Sequence, residues 1–232
     1  MNPFTALNFW MILVGIGTIC SAQVKLSRDI VTQEKWFDEI QKFADADIKN
    51  PPPQNSIVFV GSSSIRKWAS LESDFPEYSV VRRGFGGSHM SDALYFCDRI
   101  VLPYKPKAVI VYEGDNDLNS GKSGEDILND YQHFCRLVHA ENPDCKIIFI
   151  SVKASISRWE LRDKIRSFNQ SVKSWSDSDD RLGYVDAFDT MLGDDGRPRP
   201  ELLDKDNLHL SPDGYKLWTS LVKSELNRLL LL

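Results

Sequence analysis

The sequence predicts an α/β fold in which helices cover both faces of a parallel sheet. Short apolar runs rich in β-branched residues alternate along the chain with longer amphipathic segments, which is the pattern of such folds. The chain has 232 residues, of which 42% are hydrophobic. This length suits one substantial core, and no internal repeat or low-complexity tract appears. We therefore expect a single domain over residues 23–232.

Five apolar runs are candidate strands because they are short, rich in Val and Ile, and separated by turn residues. They are Ile57 to Val60, Ser79 to Val81, Ala108 to Tyr112, Lys146 to Ser151 and Gly183 to Val185. In a doubly wound sheet, ligands bind beyond the carboxyl ends of the strands. The first three candidate strands are followed by the turn sequences GSSS, GFGG and GDND. We expect these turns to converge on one edge of the sheet.

Helices are predicted where apolar residues recur at helical spacing. The candidates are Gln33 to Ala46, Glu125 to Ala140, Leu161 to Trp175, and a last helix that starts at Ser211-Pro212-Asp213. Ser123 is a candidate N-cap of the second helix. Ser211 is a second one, because proline follows it at the first helical position.

The N-terminal 22 residues have the features of a secretory signal peptide. They carry no charged side chain, and an apolar centre from Phe9 to Ile19 precedes the small residues Cys20, Ser21 and Ala22. We expect cleavage after Ala22 and a secreted or periplasmic protein. Two alternatives remain open. The segment is a retained anchor, although its apolar run is shorter than the roughly 20 residues of a membrane span, or Cys20 is lipidated, although the bulky Ile19 precedes it.

Charge and cysteine content exclude several classes of function. The formal net charge is -5, and the Lys and Arg residues are scattered, so we expect no nucleic-acid partner and no stable membrane insertion after signal cleavage. Cys97, Cys135 and Cys145 lack the CxxC spacing of a zinc site, and we expect no metal. We interpret them as core residues, and a Cys135–Cys145 disulfide remains open.

Two segments contain the groups that ester cleavage by a serine requires. Ser63 follows a strand and a glycine, on a turn that exposes its hydroxyl. Asp206 precedes His209 by three residues, just before the capped last helix, so that both side chains can point into one crevice. Gly87 offers a backbone N–H and Asn116 a side-chain amide as donors to an oxyanion.

Four segments resemble, in order, the signature blocks of the SGNH (GDSL-type) esterases and lipases. They are FVGSSSIRKW, GFGG, EGDND and DNLH, and the resemblance spans Ser56 to Tyr215. It implies a flavodoxin-like, three-layer αβα sandwich around a five-stranded parallel sheet. It also implies no cofactor, and substrates among acyl esters, thioesters or acetylated sugars.

The resemblance also assigns roles to the candidate residues. It implies that Ser63 is the nucleophile of a triad with Asp206 and His209, and that the amide of Ser63 forms the oxyanion hole together with Gly87 and Asn116. The aspartate that usually precedes the nucleophile is replaced by Ser62, so three serines stand in a row. Alignment on the preceding glycine selects Ser63, with Ser62 and Ser64 as alternatives.

Other motifs in these blocks do not support a different chemistry. Asp115, Asp117 and Asn119 have the spacing that opens a calcium loop, but the glycine and the closing glutamate are out of place. GFG lacks the third glycine of a dinucleotide turn. His89 either contacts substrate or starts a helix, and Trp159 is a candidate crevice wall.

The function that follows is an exported serine esterase. We expect it to cleave short acyl or acetyl esters of small molecules, glycans or lipids, with lysophospholipid among the candidates. The alternative from a different class is an inactive carbohydrate- or lipid-binding module on the same fold. The sequence does not predict an oligomeric state.

Overall fold

Five parallel strands form the central sheet in a computed structural model, which describes residues 34–231. The strands are β1 (Ile57–Gly61), β2 (Val80–Gly84), β3 (Ala108–Tyr112), β4 (Lys146–Ile150) and β5 (Leu182–Val185). Their order across the sheet is β2-β1-β3-β4-β5, and every neighbouring pair is parallel. The predicted fold class, a five-stranded parallel sheet flanked by helices, is confirmed.

The α-helices of residues 34–231 are the connections between these strands and the segments that flank them. They are α1 (Phe37–Lys49), α2 (Ser63–Arg66), α3 (Leu71–Asp74), α4 (Met90–Tyr95), α5 (Cys97–Ile100), α6 (Asp115–Asn119), α7 (Gly124–Glu141), α8 (Arg162–Ser176) and α9 (Pro212–Leu230). Ser123 and Ser211 cap α7 and α9 as predicted, because each hydroxyl accepts a backbone N–H of the first turn.

Two clusters of aromatic side chains hold the helices against the two faces of the sheet. On one face, Phe59 of β1 packs against Trp68, and Trp68 packs against Trp218 of α9, with ring centroids 5.7 and 5.9 Å apart. On the other face, Phe149 of β4 packs against Tyr131 of α7 at 4.8 Å. Every residue of β1 and β3 is buried, which explains their continuous apolar sequence.

Strand β2 is longer than its sequence predicts. The apolar run ends at Val81, but the strand continues through Arg82 and Arg83 to Gly84. Arg83 is buried, and its guanidinium donates to the Asp47 carboxylate at 2.6 Å and to the Tyr104 hydroxyl at 2.8 Å. The buried strand therefore accommodates the charge of Arg83 because the guanidinium is paired and hydrogen-bonded.

The structure does not test every prediction about the chain's organisation. The proposed signal peptide, residues 1–22, lies outside the described residues, and so does Gln33, where the first helix was predicted to begin. From Glu39 onward the described residues form one compact unit, and no helix in residues 34–231 is long and apolar enough to span a membrane. Cys97, Cys135 and Cys145 are buried free thiols, so the Cys135–Cys145 disulfide is not formed.

Gly84 allows helix α2 to lie directly against the end of β2. A Cβ atom at this position would fall 2.2 Å from the backbone nitrogen of Arg66. We expect Gly84→Ala to lower the free energy of unfolding by about 1–3 kcal/mol because the helix must shift. Urea unfolding measures this loss. Gly124→Ala is the matched control, because its Cβ would meet Phe168 at an ordinary 3.4 Å, and a loss there as large as at Gly84 would contradict the explanation.

The connections of the sheet fix where a ligand can bind. The chain passes from β1 to β2 at one edge, and then crosses to β3 on the other side of β1. This change of direction opens a crevice beyond the carboxyl ends of β1 and β3. Helix α2 begins at the end of β1, and helix α6 begins at the end of β3.

Candidate active site

Ser63 is the first residue of helix α2 and follows a sharp turn out of β1. Gly61 ends the strand with φ of +150°, and a Cβ there would lie 2.2 Å from the carbonyl oxygen of Tyr112. Only glycine fits this turn. The carbonyl of Ser62 accepts the amides of Ile65 and Arg66, both at 3.1 Å, which starts the helix and orients Ser63.

The three consecutive serines differ in their access to solvent. Ser62 and Ser64 are each only 2% exposed, whereas Ser63 is half-buried at the surface of the crevice. The Ser63 Oγ atom lies 2.9 Å from Nε2 of His209. Of the three candidates from the sequence, Ser63 is therefore the one whose hydroxyl contacts the histidine.

Asp206 and His209 contact each other as their spacing predicts. Oδ2 of Asp206 lies 2.5 Å from Nδ1 of His209, while Oδ1 accepts the backbone amides of Leu208 and His209 at 3.0 and 2.9 Å. The loop that carries both residues precedes α9, and Asn207 at its tip has φ of +57°. The structure thus brings Ser63, His209 and Asp206 into one hydrogen-bonded chain.

The environment of Asp206 keeps its carboxyl ionised. Desolvation opposes the charge, but the hydrogen bonds from the His209 side chain and from two backbone amides outweigh it, so the pKa of Asp206 falls well below its usual range. A carboxylate accepts but does not donate. Nδ1 of His209 must therefore carry the proton, which leaves Nε2 free to accept from Ser63.

Lys67 is a neighbour of this pair that the sequence did not indicate. Its Nζ atom lies 4.0 Å from Oδ2 of Asp206 and 3.0 Å from Nδ1 of His209. Because the Nδ1 proton is directed to Asp206, the ammonium lies beside the ring as a charge and does not hydrogen-bond to it. The side chain is 42% exposed, so solvent screens its charge. Lys67 is the C-cap of helix α2, one helical turn after Ser63, and no local pattern in the sequence indicates that it reaches the pair.

The predicted oxyanion donors lie at the ends of the neighbouring strands. Gly87 follows β2 with φ of +84°, and Asn116 is the second residue of α6 after β3. Within residues 34–231, the backbone N–H groups of Ser63 and Gly87 donate to no protein acceptor. The amide nitrogen of Asn116 carries two N–H groups. One of them donates to the carbonyl of Ser88 at 3.0 Å, and the second is the candidate oxyanion donor.

Two acidic residues around Asn116 hold the glycine-rich loop in position. Glu113 accepts the Ser88 hydroxyl at 2.5 Å, and Asp117 accepts the amide of Met90 at 3.2 Å. Burial, together with the charge of Asp117, raises the pKa of Glu113 well above its usual value. The EGDND segment therefore fixes the loop that carries Gly87, a role that the sequence did not indicate.

Asp115, between these residues, faces two cations from the loop after β4. Lys153 lies 2.9 Å from one carboxylate oxygen and Arg158 lies 2.6 Å from the other. Burial alone would raise the pKa of Asp115, but the two cations outweigh it and lower the pKa. Sequence reasoning missed both cations. The only signal was their place in the segment that follows β4, at the same edge of the sheet as the other turns.

The remaining candidates have structural partners. His89 starts helix α4, and its amide donates to Asp92 at 2.9 Å, which agrees with the helix-start interpretation. Trp159 stacks on Phe188, with centroids 6.2 Å apart and an angle of 13° between the rings. Among the described residues, no group of three or more His, Cys, Asp or Glu side chains could hold a metal ion.

The sequence matches the GDSL-like Lipase/Acylhydrolase family over residues 55–217. This region includes all four blocks that resemble the family and more than half of the chain. The protein therefore belongs to this family, whose lipases and acylhydrolases cleave esters. No curated protein matches the sequence.

Solved structures share the fold at low sequence identity. A protein from Streptococcus pneumonia with the provisional name platelet activating factor has a TM-score of 0.72 and 21% identity, covering 89% of this chain and 98% of that one. A GDSL-like lipase from Bacteroides thetaiotaomicron has a TM-score of 0.69 and 21% identity, covering 80% and 95%. A variant of an acetyl xylan esterase from Geobacillus stearothermophilus has a TM-score of 0.57 and 17% identity, covering 76% and 95%.

Proposed function

We propose that the protein is a serine esterase that works through an acyl-enzyme, with Ser63 as nucleophile. The observation that carries this proposal is the hydrogen-bonded chain from Ser63 Oγ through His209 to Asp206, with distances of 2.9 and 2.5 Å. A serine paired with a histidine whose other nitrogen faces a carboxylate is the arrangement that activates a hydroxyl.

In the first half of the reaction, His209 takes the proton of Ser63 while Oγ attacks the ester carbonyl. The carbonyl oxygen becomes an oxyanion, held by the amides of Ser63 and Gly87 and by the second N–H of Asn116. Asp206 stabilises the imidazolium. His209 then gives its proton to the leaving alcohol, and the acyl group remains on Ser63.

In the second half, water replaces the alcohol. His209 takes a proton from the water as its oxygen attacks the acyl-enzyme, and a second oxyanion forms at the same donors. When this intermediate collapses, His209 returns the proton to Ser63 Oγ and the free acid leaves. The net reaction consumes one water per ester and needs no cofactor.

The substrates we propose are short acyl or acetyl esters, on a small alcohol, a glycan or a lysophospholipid. Trp159 is half-buried and adjacent to Arg158, whose guanidinium contacts Asp115 and Asn116, and we propose that it lines the crevice. Aromatic side chains supply apolar area that suits a sugar or an alkyl chain. The acetyl xylan esterase among the related folds makes acetylated sugars a first class to test.

Hydrolysis of p-nitrophenyl acetate tests the enzyme proposal. We expect the purified protein to release p-nitrophenol well above the rate of Ser63→Ala, which corrects for reaction at other surface groups. Equal rates would favour the alternative, an inactive carbohydrate- or lipid-binding module. A series of p-nitrophenyl esters of increasing chain length, followed by acetylated xylan, then identifies the acyl group and the alcohol.

Export to a secreted or periplasmic location is part of the proposal, based on the apolar segment before Ala22. The partners we propose are ester substrates only, because the net charge of -5 gives no general attraction to nucleic acid. N-terminal sequencing of the mature protein is expected to begin at Gln23. A lipidated Cys20 or an intact N-terminus would select one of the alternatives.

Asn116→Ala should lower kcat for p-nitrophenyl acetate by about 10²–10³-fold, because one donor to the oxyanion is lost. The KM should change little, since the interaction strengthens in the transition state. Steady-state kinetics measure both. An unchanged kcat would remove Asn116 from the oxyanion hole.

A further inference from the structure

Arg158 connects the loop after β4 to the residues at the end of β3. Its Nη1 donates to Oδ1 of Asp115 at 2.6 Å, and its Nη2 donates to Oδ1 of Asn116 at 3.1 Å. The side chain is only 13% exposed. A buried guanidinium that spans a carboxylate and an amide oxygen has little freedom, because both ends of its fork are occupied.

The contact determines which way the Asn116 amide points. An arginine only donates hydrogen bonds, so the group that faces it must be the amide oxygen. The amide nitrogen is then turned to the opposite side, where one N–H donates to the carbonyl of Ser88 at 3.0 Å. In the flipped rotamer, the NH₂ group would face the guanidinium and the oxygen would face a carbonyl. Both contacts would be repulsive.

Arg158 is itself held in place by a buried ion pair. Asp115, 6% exposed, accepts from Arg158 with one oxygen and from Lys153 with the other. Two cations therefore share one carboxylate, and both of its oxygens are occupied. Loss of either contact would leave a buried charge unpaired, which holds Arg158 in this position.

We propose that Arg158 is a positioning residue, which fixes the amide of Asn116 with its free N–H toward the oxyanion. The inference rests on the proposed function, because it assigns Arg158 to the same oxyanion hole. It goes further because Arg158 lies outside the four segments that resemble the family, and the rate depends on it. Arg158 acts through Asn116 and does not touch the reacting atoms.

A second contact of the same loop defines the competing explanation. The amide of Ser157 donates to the carbonyl of Asn207 at 3.0 Å, so the loop also supports the turn between Asp206 and His209. A substitution of Arg158 could therefore disturb the histidine rather than the oxyanion hole. A double-mutant cycle with Asn116 separates the two routes.

The experiment measures kcat and KM for p-nitrophenyl acetate in Arg158→Met, Asn116→Ala and the double variant. We expect Arg158→Met to lower kcat by about 10–100-fold and to leave KM within about 3-fold of the wild-type value. This loss of kcat is smaller than that expected when the donor itself is removed. In the Asn116→Ala background, the same substitution should lower kcat by less than about 3-fold. Arg158→Lys should lie between wild type and Arg158→Met, because an ammonium cannot span both oxygens.

Arg166→Met is the matched control. Arg166 also pairs with a carboxylate, that of Asp189 at 2.8 Å, but it contacts neither Asp115 nor Asn116. The kcat of Arg166→Met should therefore equal that of the wild type. Thermal unfolding checks the fold of each variant, and Arg158→Lys replaces Arg158→Met in the cycle if the latter does not fold.

Independent, multiplicative losses in the double variant would overturn the inference while leaving the esterase function intact, and so would a wild-type kcat in Arg158→Met. A wild-type protein that hydrolyses no ester above the Ser63→Ala rate would overturn the proposed function and the inference together.

Discussion

Ser63→Ala is expected to lower kcat by about 10⁶-fold, close to complete loss of activity, because no acyl-enzyme can form without the hydroxyl. The fold should not change, since the Oγ atom is at the surface of the crevice and its known partner is His209. Hydrolysis of p-nitrophenyl acetate measures the loss. Labelling by a fluorophosphonate probe, which modifies activated serines, should disappear with it.

Ser64→Ala is the matched control for this substitution. Ser64 is adjacent, buried, and also within helix α2, but no contact with His209 involves its hydroxyl among the described residues. Its labelling and kcat should be close to those of wild type. Fluorophosphonate labelling that persists in Ser63→Ala and is lost in Ser64→Ala or Ser62→Ala would instead assign the nucleophile to that serine.

Asp206→Asn is expected to lower kcat by about 10⁴-fold with little change in structure. The carboxylate of Asp206 holds the proton of His209 on Nδ1. An asparagine that turns its NH₂ group to Nδ1 favours the other tautomer, in which Nε2 carries the proton and cannot accept the one from Ser63. The backbone amides of Leu208 and His209 can still donate to the remaining amide oxygen.

Steady-state kinetics with p-nitrophenyl acetate test this expectation, and thermal unfolding serves as the check on structure. Asp204→Asn is the matched control, because Asp204 is exposed in the same loop and has no contact with the histidine side chain within residues 34–231. A loss below about 10-fold in Asp206→Asn would mean that the tautomer of His209 does not depend on this carboxylate.

Much of the fold could be predicted because its buried strands are apolar along their whole length. Ala108–Tyr112 has the same bounds in the sequence prediction and in the structure. Strand β2 was predicted too short because Arg82 and Arg83 interrupt its apolar pattern. The partners that make those charges acceptable, such as Asp47 for Arg83, come from a distant part of the chain that local patterns do not reveal.

In the candidate site, too, the sequence predicts the residues that belong to local patterns and misses those defined by distant contacts. Ser63, Asp206 and His209 are short-range features of their own segments, a serine after a strand and glycine and a histidine three residues after an aspartate, so the sequence predicted them. Arg158 and Lys67 belong to the site only because they contact residues that are 42 and 142 positions away in the sequence. Arg158 follows a predicted strand, but neither residue has a local pattern that distinguishes it from the many other cations of the chain.

The contact between Ser63 and His209 joins residues 146 positions apart, and this separation affects how activity appears during folding. Closing so long a loop costs chain entropy that only the intervening strands and helices repay. We therefore expect the pair to form only after the sheet has been assembled as far as β5 and α9 has docked on it. A partly folded chain with most of its helices in place would still be inactive. The recovery of hydrolysis on refolding consequently reports the completion of the whole domain rather than of its N-terminal half.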